Sequence, residues 1–136
     1  STKAFAAMAD GINGAHVAAA LKTMRRVTRQ IGRFFEDYDV LITPQLAQPP
    51  LKIGELDPAP DNMETYMATI SSFSAFPGLS NATGCPAMSM PLHWNGDNLP
   101  IGTQFIARLG DEATLLRLAA QIEQAQPWAH MRPDLG

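Results

Sequence analysis

Two adjacent hydroxyls in the stretch ISSFS, Ser71 and Ser72, are the first candidates for nucleophilic chemistry in this 136-residue sequence. Lys3, Lys22 and Lys52 are the amines that could take their protons. A serine attacks a carbonyl when a base removes its proton and backbone N–H groups receive the developing oxyanion. Neither condition is met here. No glycine flanks the pair, and an oxyanion-binding turn needs backbone that approaches substrate closely or takes a positive φ. The serines also fall in an apolar pattern of helical period, where N–H groups are already engaged. Hydroxyls bonded to their own helix backbone are therefore expected. The lysines stand in polar or terminal surroundings, without the burial that keeps an amine neutral.

The other reactive types fare no better. Cys85 precedes Pro86 with nothing basic or cationic beside it to draw out a thiolate, so a buried inert thiol is expected. His16, His93 and His130 lack metal-ligand spacing. Of the carboxylate pairs, Glu36/Asp37 and Asp111/Glu112, both fall at expected helix ends. The second reads as an N-terminal cap with a dipole partner, which needs no acid–base role. No metal and no cofactor are expected. Trp94 and Trp128 border loop-like segments, where they are exposed or cover the edge of a cleft.

The elements that would position these groups follow from periodicity. Residues 2 to 10 read as a short helix broken by Gly11 and Gly14. From residue 15 to about 36, Val17, Leu21, Met24, Val27, Ile31 and Phe34/Phe35 recur every three or four positions, predicting a long helix with one buried stripe. DVLIT, residues 39 to 43, reads as a buried strand stopped by Pro44. Residues 44 to 60 hold five prolines and are expected to cross irregularly. Asp61 and Glu64 have capping-box spacing and would open a helix with the stripe Met63, Tyr66/Met67, Ile70 and Phe73/Phe76. Pro77 would start a second short helix that Gly84 ends. Residues 87 to 92 and 101 to 107 read as an antiparallel strand pair around Asn95-Gly96. A last helix follows Gly110-Asp111, with Leu115, Leu118, Ala119 and Ile122 inward, and residues 127 to 136 form an extended tail.

The fold class is therefore α/β. About three strands are few for an independent sheet. With 46% hydrophobic residues the chain can build one core, and a chain of this size buries roughly two-thirds of its unfolded surface. A net charge of −3 argues against a nucleic-acid partner. Arg25, Arg26, Arg29 and Arg33, at helical spacing, are expected on a solvated face. No apolar run reaches the ~20 residues of a membrane span, so no membrane partner is expected. A single cysteine excludes an internal disulfide and fits a reducing cytoplasm. The opening STKAFAAM lacks an initiator Met and reads like the middle of a protein, so residues 1 to 136 are expected to be one incomplete domain.

Three motifs carry a resemblance. NATGCPAMSMP from residue 81, LPIGTQFIAR from residue 99 and GDEATLLRLA from residue 110 are similar to the C-terminal part of the amidase signature family. DYDVLITP, ending at Pro44, resembles that family too. The likeness covers about residues 16 to 130, and the ending leans toward the branch that includes 6-aminohexanoate cyclic-dimer hydrolases. The resemblance implies an α/β C-terminal fragment, a few strands of a mixed sheet packed with amphipathic helices. It also implies a serine hydrolase whose nucleophile is activated through a second serine, in a cis peptide, by a neutral lysine. In the family those residues lie in a Gly-Ser-rich stretch of the N-terminal half. Nothing in this chain matches that stretch, so no catalytic residue is expected here.

What remains is the wall of a substrate cleft. The resemblance points to Phe73, Phe76, Thr43 and Gln45. Ordinary core packing is the competing reading for the two phenylalanines. Asn81 is either a substrate contact or a group that satisfies backbone at a turn. The function expected is part of an enzyme that hydrolyses non-peptide carbon–nitrogen bonds in small-molecule amides, inactive without its N-terminal half. That half is the expected partner, and self-association is left open. Two rival readings stand beside it: a non-catalytic binding or scaffold module derived from an amidase, and one chain of a split enzyme.

Overall fold

A computed structural model describes residues 2–56 and 62–132. The first helix, α1 (Thr2–Ala7), runs into a 3-10 turn, Met8–Gly11, and then into the long helix α2 (Gly14–Asp37). Asn13 starts α2. Its side-chain oxygen accepts the N–H groups of Ala15 and His16 at 3.0 and 3.1 Å, and His16 Nδ1 accepts the Asn13 N–H at 3.4 Å. This reciprocal pair satisfies donors that a helix start leaves free.

The strands are β1 (Val40–Pro44), β2 (Ala87–Trp94) and β3 (Pro100–Ala107). They form one sheet in the order β1-β3-β2, with both pairings antiparallel. The sequence reading expected strands of a mixed sheet, and a parallel pairing could be made only at an outer edge of these three. Short helices α3 (Met63–Phe73) and α4 (Gly78–Thr83) lie between β1 and β2, and α5 (Glu112–Ala125) follows β3.

β3 is flanked on both sides, so its residues 104 to 107 are all buried. Side chains alternate across a strand, which divides the core in two. Phe105 and Ala107 join Met90 and Leu115, with Leu118, Ala119, Ile122 and Trp128 packed around them, as the α5 periodicity predicts. On the opposite face Ile106 meets Phe35 and Cys85, backed by Ile31, Phe34, Leu41 and Leu79. Burying a side chain such as Phe35 is worth about 1.5–3 kcal/mol. Cys85 is buried, as expected.

β1, expected as a buried strand, is an outer strand of the sheet with Ile42 59% exposed, and the structure departs from the sequence reading in three further places. The α2 stripe is buried only toward its C-terminal end: Val17, Leu21 and Met24 keep 51%, 47% and 42% of their surface exposed. The reason is size. A 24-residue helix is about 36 Å long, while three strands span only about 10 Å between their outer axes. Secondly, the helix cap expected at Asp61 lies outside the described residues, and α3 is capped by Asn62, whose side chain accepts the Thr65 N–H at 3.0 Å. Thirdly, α3 does not extend to Phe76. Ser74 leaves helical geometry at φ −106 and ψ 50, and Phe76 precedes Pro77, a position that disfavours the helical region.

Two helix boundaries lie where the sequence places them. α4 follows Pro77 and ends at Gly84, which takes φ +75, open to glycine at no steric cost. Asp111 caps α5, with its side chain accepting the Thr114 N–H. Beyond α5, Trp128 packs on the α5-side core and Met131 N–H donates to Trp128 C=O at 2.9 Å; residues 133–136 lie outside the described residues. Among the described residues, no helix is long and apolar enough to cross a membrane.

Candidate functional site: a polar row on the sheet

Along the α4 side of the sheet, character changes from apolar to polar within two residues. Leu41, Ile106 and Ala87 lie side by side in the strand register, and two positions on, in the same register, lie Thr43, Gln104 and Ser89. Leu41 and Ile106 of the first row pack with Phe35, Cys85 and Leu79. The second has only hydrogen-bonding groups. Gln104 Nε2 donates to Ser80 Oγ of α4 at 3.4 Å, and Gln104 is 2% exposed. Its Oε1 is buried without a hydrogen-bond partner among the described residues. A buried amide oxygen left unpaired costs about 1–3 kcal/mol, and Gln104 has the one such side-chain oxygen among the described residues.

The next step along this face is Gln45 beside Gly102. Gln45 N–H donates to Gly102 C=O at 2.9 Å, carrying the β1–β3 ladder past Pro44. A Cβ at residue 102 would stand 2.7 Å from Ser89 Oγ and 2.8 Å from Gln45 Cβ. Glycine is therefore what lets the two side chains close over β3. Beside them is a groove of about 290 Å³, lined by Gln45, Leu46, Ala47, Pro49, Ile101 and Gly102 among others. The prolines at 44, 49 and 50 restrict the backbone of one wall, which bends through residues 45–49, and add no N–H groups to satisfy.

Of the site residues named from sequence, the structure brings Thr43 and Gln45 to this row. Thr43 Oγ1 donates to Pro44 C=O at 3.0 Å, and Thr43 and Gln45 are half-buried. Phe73 reaches it through backbone: its C=O accepts the Ala47 N–H at 3.0 Å, tying the end of α3 to the groove wall. Phe76 is half-buried in the turn between α3 and α4. Asn81 is exposed on α4, next to Ser80, with its N–H donating to Pro77 C=O. Sequence reasoning missed Gln104, Ser89, Ser80 and Gly102. The available signal was the strand run TQFIA, where an interior glutamine among apolar neighbours marks a buried polar group that needs a partner.

The hydroxyls outside the row behave as expected of helical serines. Ser72 Oγ donates to Thr69 C=O at 2.9 Å, and both Ser71 and Ser72 are exposed on α3. The row itself has amides and hydroxyls but no ionisable group. Such a surface can hold and orient a polar neutral group, an amide above all, but it has no base with which to activate a hydroxyl.

Comparison with known proteins gives the family of the chain. The family model described as Amidase matches residues 3–116. AmiC of Mycobacterium leprae, described as a candidate amidase, is 41% identical over 113 residues, covering 83% of this chain and 24% of that protein. The 6-aminohexanoate-cyclic-dimer hydrolase of a Pseudomonas species is 37% identical over 133 residues, covering 93% of this chain and 27% of that one. A solved structure of 6-aminohexanoate cyclic dimer hydrolase superposes with a TM-score of 0.84 at 35% identity, covering 93% of this chain and 28% of its own. The chain thus spans about a quarter of the length of the relatives it matches, and it belongs to the amidase family.

Proposed function

We propose that the chain is the C-terminal portion of an amidase that hydrolyses non-peptide carbon–nitrogen bonds in small-molecule amides. The bond is broken by a serine acyl-enzyme route, with the serine, its partner serine and the lysine in the N-terminal portion. In this reading the present chain supplies one wall of the substrate cleft. Thr43 and Gln45 present neutral donors and acceptors to the amide, Phe73 and Phe76 give the cleft an apolar flank, and Asn81 lies at its rim. The chain alone is inactive, because the polar row has no base. The compartment is the cytoplasm, consistent with a lone, buried, unpaired thiol.

The observation that carries this reading is the coverage: nearly the whole chain superposes on a cyclic-dimer hydrolase, yet on little more than a quarter of it. A graft tests it. The chain is exchanged for the matching segment of the Pseudomonas hydrolase, and release of amine from the cyclic dimer is followed. The graft is expected to hydrolyse the dimer and the isolated chain to show none. Replacing Thr43 by Val and Gln45 by Leu in the graft should raise KM or lower kcat. Hydrolysis by the isolated chain above the uncatalysed rate would overturn the fragment reading. A graft whose kinetics ignore both substitutions would remove the row from the cleft.

A further inference from the structure

A second cavity lies away from the polar row and shares only Pro100 with the groove beside Gln45. It encloses about 430 Å³ where the β2–β3 hairpin meets the segment after α5. That volume falls in the range of small-molecule sites. Both tryptophans of the sequence, Trp94 and Trp128, line it, together with Pro91, Leu99, His130 and Arg132. None of its nine lining residues is acidic, although the chain has a net charge of −3.

The walls are fixed from both sides. Asn95 Oδ1 accepts the N–H groups of Asp97 and Leu99 at 3.0 and 2.9 Å, and Asn98 takes φ +58, so the hairpin loop is pinned by one side chain. Gln126 Nε2 donates to Leu92 C=O at 2.9 Å, anchoring the exit of α5 to β2. Trp128 is held by packing on the α5-side core, and Arg132 Nε donates to Ala129 C=O at 3.4 Å. Among the described residues the other guanidinium N–H groups have no partner, and their fork suits the two oxygens of a carboxylate.

We infer that this cavity binds a small carboxylate carrying a flat apolar body, with the body against the indoles and the carboxylate on Arg132. The inference does not depend on the amidase reading. Indole faces supply apolar contact at little entropic cost, and Arg132 supplies the sign of charge that the ligand must complement. A neutral ligand of the same shape gains only the first part.

The test uses the two indole N–H resonances of the purified chain as reporters, titrated with phenylacetate and with 2-phenylethanol, a neutral analogue that no amidase cleaves. Both resonances are expected to move saturably with phenylacetate, with 2-phenylethanol about fivefold weaker, the upper end for a partly exposed ion pair. Arg132→Gln should close that gap, and Arg108→Gln, a surface change outside the cavity, should leave it open. Equal affinity for acid and alcohol, a gap that survives Arg132→Gln, or no saturable movement of the indoles would each overturn the inference.

Discussion

Replacing Gly102 by alanine tests whether the polar row depends on close approach over β3. The added methyl would stand 2.7 Å from Ser89 Oγ and 2.8 Å from Gln45 Cβ. Both are short of the ~3.5 Å at which non-bonded heavy atoms sit comfortably. Ser89 Oγ can rotate away. Gln45 Cβ cannot, because it is fixed to backbone whose N–H is bonded to Gly102 C=O at 2.9 Å. The strands must therefore part, at a cost of about 1–3 kcal/mol for an overpacked site. Against this stands the gain of about 0.4–1 kcal/mol from a less flexible unfolded chain. The clash wins, and a net loss of about 0.5–2 kcal/mol is expected, read from the midpoint of urea unfolding at constant slope. Combining Gly102→Ala with Gln45→Gly removes the immovable atom and should restore about 0.5 kcal/mol or more beyond additivity. Gly102→Ala alone at wild-type stability, or a strictly additive double variant, would refute the reasoning.

Four further outcomes follow from the structure. Gln104→Met removes the unpartnered oxygen with little change of shape, so it should leave stability within about 1 kcal/mol or raise it. Gln104→Glu should destabilise, and increasingly so as pH rises above the ordinary glutamate range near 4.3, because the buried site favours the protonated acid; thermal melts from pH 4 to 8 would show the trend, and a flat profile would contradict it. Asn62→Ala should cost about 1 kcal/mol through loss of the α3 cap, measured by chemical denaturation, with Asn62→Asp close to wild type. Leu21→Lys and Met24→Lys should change the stability of the chain alone by less than about 0.5 kcal/mol, since both sites are exposed. In the graft described above, both should lower the yield of soluble, active enzyme, and unchanged yield would show that this stripe faces solvent throughout.

Much of the fold is legible where a single period governs a segment. α2, α4, α5 and the β2–β3 pair follow from spacing and clear start or stop signals, such as Asn13, Gly84, Asp111 and Asn95-Gly96. Phe76 was misplaced because its 3.6-residue spacing continues past the point where Pro77 forbids the helix, and the local rule prevails. The burial of Val17, Leu21 and Met24 was misjudged for another reason. A stripe states that a face is apolar, but the number of strands beneath it decides whether the face is covered. Thr43 and Gln45 were reached by resemblance, and the structure adds why they sit together: they continue one face of β1 opposite Gln104 and Gly102. Gln104 went unnoticed since a lone glutamine in a strand carries no period of its own, and its burial comes from flanking strands distant in sequence.

The strand order also sets a timetable for synthesis. β3, the last strand made, is the one that lies in the middle, so β1 and β2 have no partner in this sheet until residues 100 to 107 exist. Val40 pairs with Ala107, a separation of 107 − 40 = 67 residues. At typical translation speeds of about 5–20 residues per second, β1 waits about 3–13 s for that partner. During the wait an apolar segment with free backbone groups is open to wrong pairings, and non-local pairing of this kind is also slow to form. Growth temperature and chaperone supply should therefore affect the soluble yield of this chain more strongly than its final stability would suggest.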